Sequence, residues 1–252
     1  MRISPINYNH NIYNRYKAPQ NVNFGYSFEE YKNEKGEVIN RNTTCFCRYD
    51  LEQNKIPQLF EETFKGDDKV NVIVYGCSTG EEPMSVLMSL HSKLGDKALA
   101  KYAPIQAKDI RPDNIEKAKN VSPLAMFDEL YFLQKEFPDY KNYFYMTPLT
   151  TKCRLTPKPI LKDNIKFSVA DITNDIKNIP NKRVALFCRN FWPYLNYEQQ
   201  EKLLSTLSKK LNDNQHLLFV GEFDLKDENG ISRERLHKYG FYETDKYVFK
   251  KQ

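Results

Sequence analysis

The stretch VIVYGCSTGEEPMSVLM, residues 72–88, contains the clearest structural pattern in the chain. The β-branched run at the start predicts a buried strand over 70–75, GCSTG indicates a tight turn, and the apolar spacing after Glu81 predicts a helix. A strand, turn and helix in this order often place a ligand at the first turn of the helix. That turn carries Glu81 and Glu82, and two carboxylates there would repel a phosphate group.

The alternation of strand and helix continues through the chain. Further strands are predicted at 104–109, 183–188 and 216–221, with another ending before Asp171; helices are predicted from about 51, from about 81, around 115–120, and over 122–136 and 197–211. Repeated strand–helix units predict an α/β fold with a doubly wound, mostly parallel sheet and helices on both faces. The alternating segment YETDKYVFKK near the C-terminus predicts an antiparallel pair at or near a sheet edge.

Two segments depart from this alternation. Residues 1–41 are rich in Asn and Tyr and show no helical period, which predicts an irregular N-terminal arm ahead of a single domain over 42–252. Residues from about 141 to 164 are aromatic, β-branched and interrupted by prolines. This pattern predicts a small antiparallel β-ribbon inserted into the domain.

Length, charge and cysteine content narrow the class of protein. The 252 residues are 40% hydrophobic, which allows one sizeable core, and the net charge of +5 is dispersed among acids, unlike a nucleic-acid-binding surface. No apolar run reaches about 18 residues and the N-terminus lacks a secretory pattern, so we expect a cytoplasmic protein without membrane insertion. The odd count of five cysteines fits that compartment. Cys45 and Cys47 have no second pair, so no metal site is expected. The sequence does not indicate an oligomeric state.

Polar residues follow each predicted strand at the point where it ends. Residues 76–82 follow the first strand, Asp109 the second, Asp171 the third, and Arg189 and Asn190 the fourth. Ligands of open α/β sheets bind outside the carboxyl ends of the strands. An acid after the second strand can accept hydrogen bonds from both ribose hydroxyls, which indicates a nucleoside.

The ligand must also carry positive charge, because Glu81 and Glu82 lie at the start of the helix. A nucleoside with a cationic tail satisfies both, and S-adenosylmethionine, with its sulfonium and ammonium groups, fits where NAD and ATP do not. Taken alone, Glu81 and Glu82 are equally compatible with ordinary first-turn acids of a helix. Their combination with Asp109, Asp171 and the sheet pattern favours the cofactor.

Several segments resemble a known family. CSTGEEPMS, KDIRPDNIEKAK and LFCRNFWPYLNYEQQEKLL are similar to the catalytic domain of the CheR-type chemotaxis methyltransferases, which transfer a methyl group from S-adenosylmethionine to receptor glutamates. NTTCFCR at 42–48 resembles the family's N-x-T-x-F-F-R segment, with Cys47 in place of an aromatic residue. The resemblance covers Asn42 to the C-terminus and implies a Rossmann-like class I methyltransferase sheet with an inserted antiparallel β-subdomain.

The resemblance also implies roles for individual residues. Arg48 would lie beside the methyl donor, Glu82 would bind the methionine ammonium, and Asp109 would bind the ribose hydroxyls. Asp171 and Ile172 stand where the family usually has an Asn-Leu pair beside the adenine. The remaining cofactor-binding candidates are Asn42, Thr44, Gly76, Arg189 and Asn190, and the catalytic candidates are Arg48 and Tyr194. Each also has a plainer interpretation as a loop cap, a surface ion pair or a packing residue.

Two departures from the family bear on the substrate. The 41 residues before Asn42 are too short for the family's separate N-terminal helical domain, which is implicated in docking the receptor. The predicted ribbon has Pro148, Pro157 and Pro159 where the family subdomain has turn glycines. The resemblance therefore does not by itself imply docking of a receptor tail peptide.

The predicted function is methylation of a protein glutamate carboxylate, with a methyl-accepting protein such as a chemoreceptor-like protein as partner. One alternative is N-methylation of an amide or a base, because residues 190–194 (NFWPY) are similar to the N-P-P-Y turn of amino-methyltransferases, with one extra residue. The other alternative is a non-catalytic module that senses S-adenosylmethionine or tethers a partner.

Overall fold

A computed structural model describes residues 30–32, 38–41, 44–48, 50–66, 68–211 and 215–252. Within these residues the chain forms twelve strands: β1 (Glu30–Lys32), β2 (Val38–Arg41), β3 (Asn71–Tyr75), β4 (Ile105–Asp109), β5 (Leu124–Met126), β6 (Phe144–Pro148), β7 (Lys152–Pro157), β8 (Ile165–Val169), β9 (Val184–Cys188), β10 (His216–Val220), β11 (Phe241–Asp245) and β12 (Val248–Lys251). The described helices are α1 (Ile56–Thr63), α2 (Glu81–Leu94), α3 (Asp96–Tyr102), α4 (Pro112–Asn120), α5 (Phe127–Glu136), α6 (Pro159–Lys162), α7 (Ile172–Asp175), α8 (Tyr197–Lys210), α9 (Glu222–Lys226) and α10 (Arg233–Lys238).

Seven strands form the main sheet in the order β11-β12-β10-β9-β3-β4-β8. The five strands from β10 to β8 are parallel, and β12 pairs antiparallel with both β10 and β11. The sequence-based prediction of a doubly wound, mostly parallel sheet with an antiparallel C-terminal pair is confirmed. The carboxyl ends of β3, β4, β8 and β9 lie along one edge, where the predicted ligand site falls.

The sheet separates two apolar cores. In β3, Val72 and Val74 face the core beneath α1 to α4, whereas Ile73 and Tyr75 face the core beneath α7, α8 and α10. All four side chains are at most 1% exposed. A β-branched run is buried on both faces because helices cover both sides of a parallel sheet.

One predicted helix is wrong in its first part. Residues 124–126 form β5, not the first turn of a helix over 122–136, and α5 begins at Phe127. β5 pairs antiparallel with β7, so that Leu124 lies opposite Arg154 and Met126 opposite Lys152. The helical propensity of a Leu-Ala-Met segment is weak compared with this tertiary pairing.

The predicted antiparallel insertion is a three-stranded sheet in the order β5-β7-β6. The hairpin of β6 and β7 falls inside the predicted range of about 141–164, while β5 lies before it. In the N-terminal segment, β1 and β2 form a short antiparallel pair that the sequence did not predict. Most of residues 1–41 lie outside the described residues, so the division into an arm and a domain stays a prediction.

The longest described helices, α2 and α8, have 14 residues each. Across the ranges given above, no helix has both the length and the apolar character needed to cross a bilayer.

The turn between β3 and α2 depends on Gly80. Its φ of +102° lies in the left-handed region, which strongly favours glycine. A Cβ atom on Gly80 would lie 3.0 Å from Phe167 Cζ and 3.2 Å from Met84 Cε. Backbone conformation and close packing therefore both require glycine at the start of α2.

We expect Gly80→Ala to lower the free energy of unfolding by about 2–4 kcal/mol, because it adds steric crowding to the cost of a left-handed alanine. Gly66→Ala is the matched control, since Gly66 has a φ of +79° and a Cβ atom added there would have no neighbour within 4 Å. That control should lose only about 1 kcal/mol. Urea denaturation measures both values, and equal losses would contradict the steric part of the argument.

Candidate active site

The turn after β3 is tied to β4 through Asp109. The Asp109 carboxylate accepts hydrogen bonds from Ser78 N at 2.8 Å, Arg111 N at 2.9 Å and Asn114 Nδ2 at 3.2 Å. Burial raises the pKa of Asp109, and the Arg111 and Ser78 N–H groups offset only part of that effect. A carboxylate has about four acceptor positions, so one remains for a further donor at this strand end.

Gly76 stands at the carboxyl end of β3 with a φ of +68°. A Cβ atom there would lie 3.3 Å from Phe191 Cδ1 and 3.9 Å from the carbonyl oxygen of Arg189. The missing side chain therefore lets the loop after β9 approach the turn after β3. This close approach brings two of the predicted ligand-binding segments together.

The first turn of α2 buries both of its acids. The Thr79 hydroxyl donates to Glu81 Oε2 at 2.8 Å, and the Thr44 side chain also hydrogen-bonds to Glu81. Burial raises the pKa of Glu81 despite these donors and the nearby charge of Arg48. The position of Thr44 shows that the segment before α1 closes over the start of α2.

A buried triad of charges lies beside this turn. Arg189, which is 3% exposed, donates to Glu82 Oε1 through Nη1 and to Asp50 Oδ1 at 2.5 Å through Nη2. Asp50 Oδ2 also accepts a hydrogen bond from Glu222 N at 2.9 Å. The triad joins the segment before α1, the start of α2 and the end of β9. Asp50 was not among the predicted site residues. Its partner Arg189 is 139 positions away, and the residues around Asp50 do not indicate that pairing.

Asp50 and Arg189 each favour the ionised form of the other. Burial alone would raise the pKa of Asp50, but the Arg189 guanidinium and the Glu222 N–H keep that pKa below its usual value. Burial likewise favours neutral arginine, but Glu82 and Asp50 outweigh it and raise the pKa of Arg189. Glu82 Oε2 forms no hydrogen bond with a described residue, so the predicted ammonium acceptor keeps one oxygen available.

Asn190 adopts a left-handed conformation with a φ of +62°. Asp224 fixes this turn, since it accepts hydrogen bonds from the backbone N–H groups of Asn190 at 2.6 Å, Gly221 at 2.8 Å and Trp192 at 3.1 Å. Burial raises the pKa of Asp224 to about 7 even with these donors. Asp224 is another functional neighbour that the sequence analysis missed, because its partners lie up to 34 positions away.

The segment containing Arg48 is fixed from two sides. Phe46 N donates to Glu129 Oε1 on α5 at 3.0 Å, and Cys47 N donates to Ser85 Oγ on α2 at 3.2 Å. Arg48 is half-buried, and its charge acts on the carboxyl groups of both Asp50 and Glu81. These two hydrogen bonds fix the backbone on the N-terminal side of Arg48.

Glu129 is a second acid that the sequence analysis missed. Burial raises the pKa of Glu129 to about 7, and the Phe46 N–H and the charge of Glu81 act in opposite directions on it. Glu129 lies close enough to Cys45 for its charge to raise the pKa of that thiol as well. Near neutral pH this carboxyl group therefore changes its charge beside the Arg48 segment.

The remaining predicted residues have structural partners of their own. Asp171 caps α7, with Oδ1 accepting from Thr173 N at 2.9 Å and from Thr173 Oγ1 at 2.8 Å, and Oδ2 accepting from Asn174 Nδ2 at 3.0 Å. Ile172 is 8% exposed and packs in the core beneath α8. Tyr194 is half-buried in the turn after β9, with its ring 6.4 Å from that of Phe223.

The structure therefore brings most of the predicted residues to one edge of the sheet. Asp109, Glu82 and Glu81 all act on the buried thiol of Cys77, and Glu82 contacts Arg189 directly. Asp171 lies next to Asp109, because Ala170 N donates to the Asp109 carbonyl oxygen at 2.9 Å. Asn42 lies outside the described residues.

A nucleoside with a cationic tail fits these residues. The start of α2 presents two buried carboxylates where a phosphate would be repelled, and Asp109 ends the second strand of the parallel series. The Asn190 Nδ2 atom is buried and, among the described residues, has no hydrogen-bond acceptor. A buried amide donor normally has a partner, so a bound polar group at this position would complete its hydrogen bonding.

The strand order β11-β12-β10-β9-β3-β4-β8, with acids after β3 and β4, defines the Rossmann-like class I fold of S-adenosylmethionine-dependent methyltransferases. Residues 40–235 match the family described as CheR methyltransferase, SAM binding domain. The chain belongs to this family, which confirms the family and the cofactor, S-adenosyl-L-methionine, predicted from the sequence.

Individual relatives are distant. The chain is 28% identical to the chemotaxis protein methyltransferase of Salmonella typhimurium over 183 residues, which cover 73% of this chain and 61% of the relative. It is 26% identical to the chemotaxis protein methyltransferase of Escherichia coli over 192 residues, which cover 76% of this chain and 65% of the relative. The chain thus spans less than two thirds of the length of these relatives.

Solved structures of methyltransferases are also similar to this chain. The TehB-like SAM-dependent methyltransferase of Corynebacterium glutamicum has a TM-score of 0.40 and 12% identity, covering 80% of this chain and 88% of its own. The magnesium protoporphyrin IX methyltransferase of Synechocystis PCC 6803 has a TM-score of 0.36 and 13% identity, covering 78% of this chain and 76% of its own.

Replacing Arg189 tests the buried triad. We expect Arg189→Ala to lower the free energy of unfolding by about 3–5 kcal/mol at pH 7.5, because two carboxylates stay buried without their cation. Arg233→Ala is the control, since Arg233 pairs with Glu243 on the surface and its loss should cost less than about 1 kcal/mol.

The pH dependence of the same variant gives a second test. In the parent protein the lowered pKa of Asp50 contributes stability above the usual Asp value of 3.8, and this contribution is lost only as the pH falls below it. In Arg189→Ala the buried Asp50 carboxyl loses the cation that lowers its pKa, so burial then favours its protonated form. The stability gap to the parent should therefore narrow between pH 7.5 and pH 5, and a constant gap in urea denaturation would contradict the triad.

The raised pKa of Glu129 leads to a separate prediction for the dependence of stability on pH. A folded-state pKa of about 7, above the usual value of 4.5, means that the folded protein binds more protons than the unfolded chain between those values. Stability from this group is therefore present at pH 4.5 and lost as the pH rises through 7. We expect Glu129→Gln to be more stable than the parent at pH 8, with the advantage disappearing by pH 5. The control is Glu116→Gln at an exposed position. Its difference in melting temperature from the parent should be the same at pH 8 and pH 5.

Proposed function

We propose that this chain transfers a methyl group from S-adenosylmethionine to a glutamate carboxylate of a protein substrate. The observation that carries the proposal is the fixed position of Arg48, whose neighbours Phe46 and Cys47 are bonded through their N–H groups to α5 and α2. Membership of the CheR family supports the same reaction. The relatives named as chemotaxis protein methyltransferases make a chemoreceptor-like protein the first substrate class to test.

The proposed cofactor contacts follow from the geometry of the strand ends. Asp109 would accept from the ribose hydroxyls through its remaining acceptor position, and Glu82 would accept from the ammonium group through Oε2. Asp171 Oδ2 accepts only one hydrogen bond from its cap and would accept another from the adenine amine. The other proposed contacts are Asn42, Thr44, Gly76, Ile172, Arg189 and Asn190.

The proposed chemistry requires orientation more than proton transfer. Bound S-adenosylmethionine supplies an electrophilic methyl group. A glutamate acceptor is already ionised at neutral pH, so no general base has to remove a proton. The planar guanidinium of Arg48 can steer the acceptor carboxylate through two parallel hydrogen bonds, and Tyr194 can donate one more. Holding the acceptor oxygen about 3 Å from the methyl carbon would supply several kcal/mol of rate enhancement.

N-methylation has weaker support from the turn after β9. In an amino-methyltransferase turn, the Asn oxygen must face the acceptor amine. Here a Cβ atom on Gly221 would lie 2.8 Å from Asn190 Oδ1, so that oxygen lies against the loop after β10. The backbone N–H of Asn190 is occupied by Asp224. This arrangement favours a carboxylate acceptor steered by Arg48 over an amine acceptor held by Asn190.

The test is incorporation of labelled methyl groups into lysate proteins and purified chemoreceptor cytoplasmic domains. We expect label that mild alkali releases as methanol, because methyl esters hydrolyse under conditions that leave N-methyl groups intact. Arg48→Ala should lower kcat/KM at least about 100-fold, and Arg48→Lys should also lower it, because a lysine keeps the charge but loses the planar fork. Lys97→Ala, an exposed substitution on α3 ahead of the amino end of β4, should retain full activity.

Calorimetry with S-adenosylhomocysteine separates binding from transfer. Arg48→Ala should change its affinity less than about tenfold, whereas Asp109→Ala should weaken it by about 1.5–3 kcal/mol. Alkali-stable label would move the assignment to N-methylation. Tight binding without label on any protein would favour a non-catalytic sensor or tether.

A further inference from the structure

We propose that a cavity at the β8 edge of the main sheet is a second binding site, which takes a small anionic molecule with an apolar body. The cavity has a volume of about 810 Å³, within the range of about 300–1,000 Å³ that is typical of small-molecule sites. Its walls come from β4, β8, the end of α4, α6 and the residue Met84 of α2. This size suits a small molecule better than a folded partner.

The cavity is separate from the proposed methyl-transfer site. None of the residues proposed there lines the cavity. Pro104 and Ile165 line it at the amino ends of β4 and β8, and Ala118 lines it near the end of α4. Asp109, by contrast, lies at the carboxyl end of β4. The lining also reaches Ser168 near the carboxyl end of β8, so the cavity extends along the edge strand without including Asp109.

Part of the cavity wall is apolar and already packed. Met84, Leu161, Ile165 and Phe167 line it. The Met84 and Phe167 side chains are held against Gly80, where a Cβ atom would lie 3.2 Å and 3.0 Å from them. An apolar wall that is fixed before binding loses little conformational entropy when a ligand packs on it.

The charged part of the lining has one sign. Lys119, Lys162 and Lys166 line the cavity and are exposed, and its lining contains no Asp or Glu. Within the part of the chain that the structure describes, no ion pair or side-chain hydrogen bond is formed by any of these three lysines. Three uncompensated cations attract an anion and repel a cationic ligand.

The two halves of the lining together select the ligand class. An apolar wall favours a hydrocarbon or aromatic body, and the lysines favour a carboxylate or phosphate at its end. Uncharged polar groups on Gln106, Asn120 and Ser168 also line the cavity and can bond to the same head group. The ligand class is therefore an anionic group on an apolar chain or ring.

The experiment uses calorimetry of the full chain with decanoate and decyl phosphate as probes. We expect at least one of them to bind with a stoichiometry of one, and the tighter of the two identifies the preferred head group. Decanol, which lacks the charge, and acetate, which lacks the apolar body, should each bind at least tenfold more weakly. Heat that does not saturate with either decyl probe would overturn the proposal.

Matched charge variants localise the binding. The combined substitution Lys119→Gln, Lys162→Gln and Lys166→Gln should weaken the better probe at least tenfold. Lys97→Gln, Lys202→Gln and Lys209→Gln together remove the same net charge from exposed positions elsewhere and should change affinity less than twofold. Equal weakening by the two sets would show attraction to overall charge and would overturn the site.

A filling variant tests the apolar part independently. Ser168 is exposed on the edge strand β8 and lines the cavity, so Ser168→Trp should abolish binding while the melting temperature stays close to that of the parent. If Ser168→Trp does not fold, Val121→Trp, at an exposed lining residue outside the sheet, replaces it. Undiminished binding in a folded filling variant would contradict the assignment. S-adenosylhomocysteine affinity, measured in parallel, should be unchanged in the lysine variants.

Discussion

The guanidinium of Arg189, buried between Asp50 and Glu82, is the constraint on which the site depends. Removing three charges from water is costly, and the arrangement is stable only while each charge has its partners in place. The triad therefore locks the segment before α1, the first turn of α2 and the end of β9 into one arrangement. Asp50 is two residues after Arg48. The ion pairs of the triad therefore also fix the backbone position of Arg48, the arginine proposed to steer the substrate. The same three side chains therefore stabilise the fold and fix the geometry of the site.

Three other carboxylates along this edge accept hydrogen bonds from backbone N–H groups, and within the described residues none of them forms a buried ion pair like those of Asp50 and Glu82. Asp109 binds the N–H groups of the turns after β3 and β4, Asp171 caps α7, and Asp224 gathers three N–H groups from the turns after β9 and β10. Loops that cross the ends of parallel strands expose many backbone donors, and each acid satisfies several of them. These hydrogen bonds fix the turns along this edge relative to one another. The turns at the strand ends therefore present carboxylate oxygens at defined positions, where they can accept hydrogen bonds from a ligand.

The sequence predicted the features that depend on local pattern. The β-branched run of β3, the apolar spacing of α2 and the acid that ends β4 are all readable within a few residues, and the structure has them where expected. β5 was missed because Leu-Ala-Met has no strand signal of its own and is extended only by pairing with β7. Asp50, Glu129 and Asp224 were missed for a related reason. Their roles come from partners far along the chain, such as Arg189, 139 positions from Asp50, and no spacing rule connects such residues.

The position of the small sheet has a consequence for how this chain can diverge over evolutionary time. Strands β4 and β8 are neighbours in the sheet, and the 55 residues from 110 to 164 that connect them include α4, α5, α6 and the strands β5 to β7. Lengthening such a connection from about 20 to about 55 residues costs only about 1 kcal/mol in closure entropy. Mutation and insertion can therefore remodel residues 121–164 while the register of β3, β4, β8 and β9 is kept. Because that segment also supplies one wall of the cavity, descendants of this chain could acquire new ligand preferences without rebuilding the sheet.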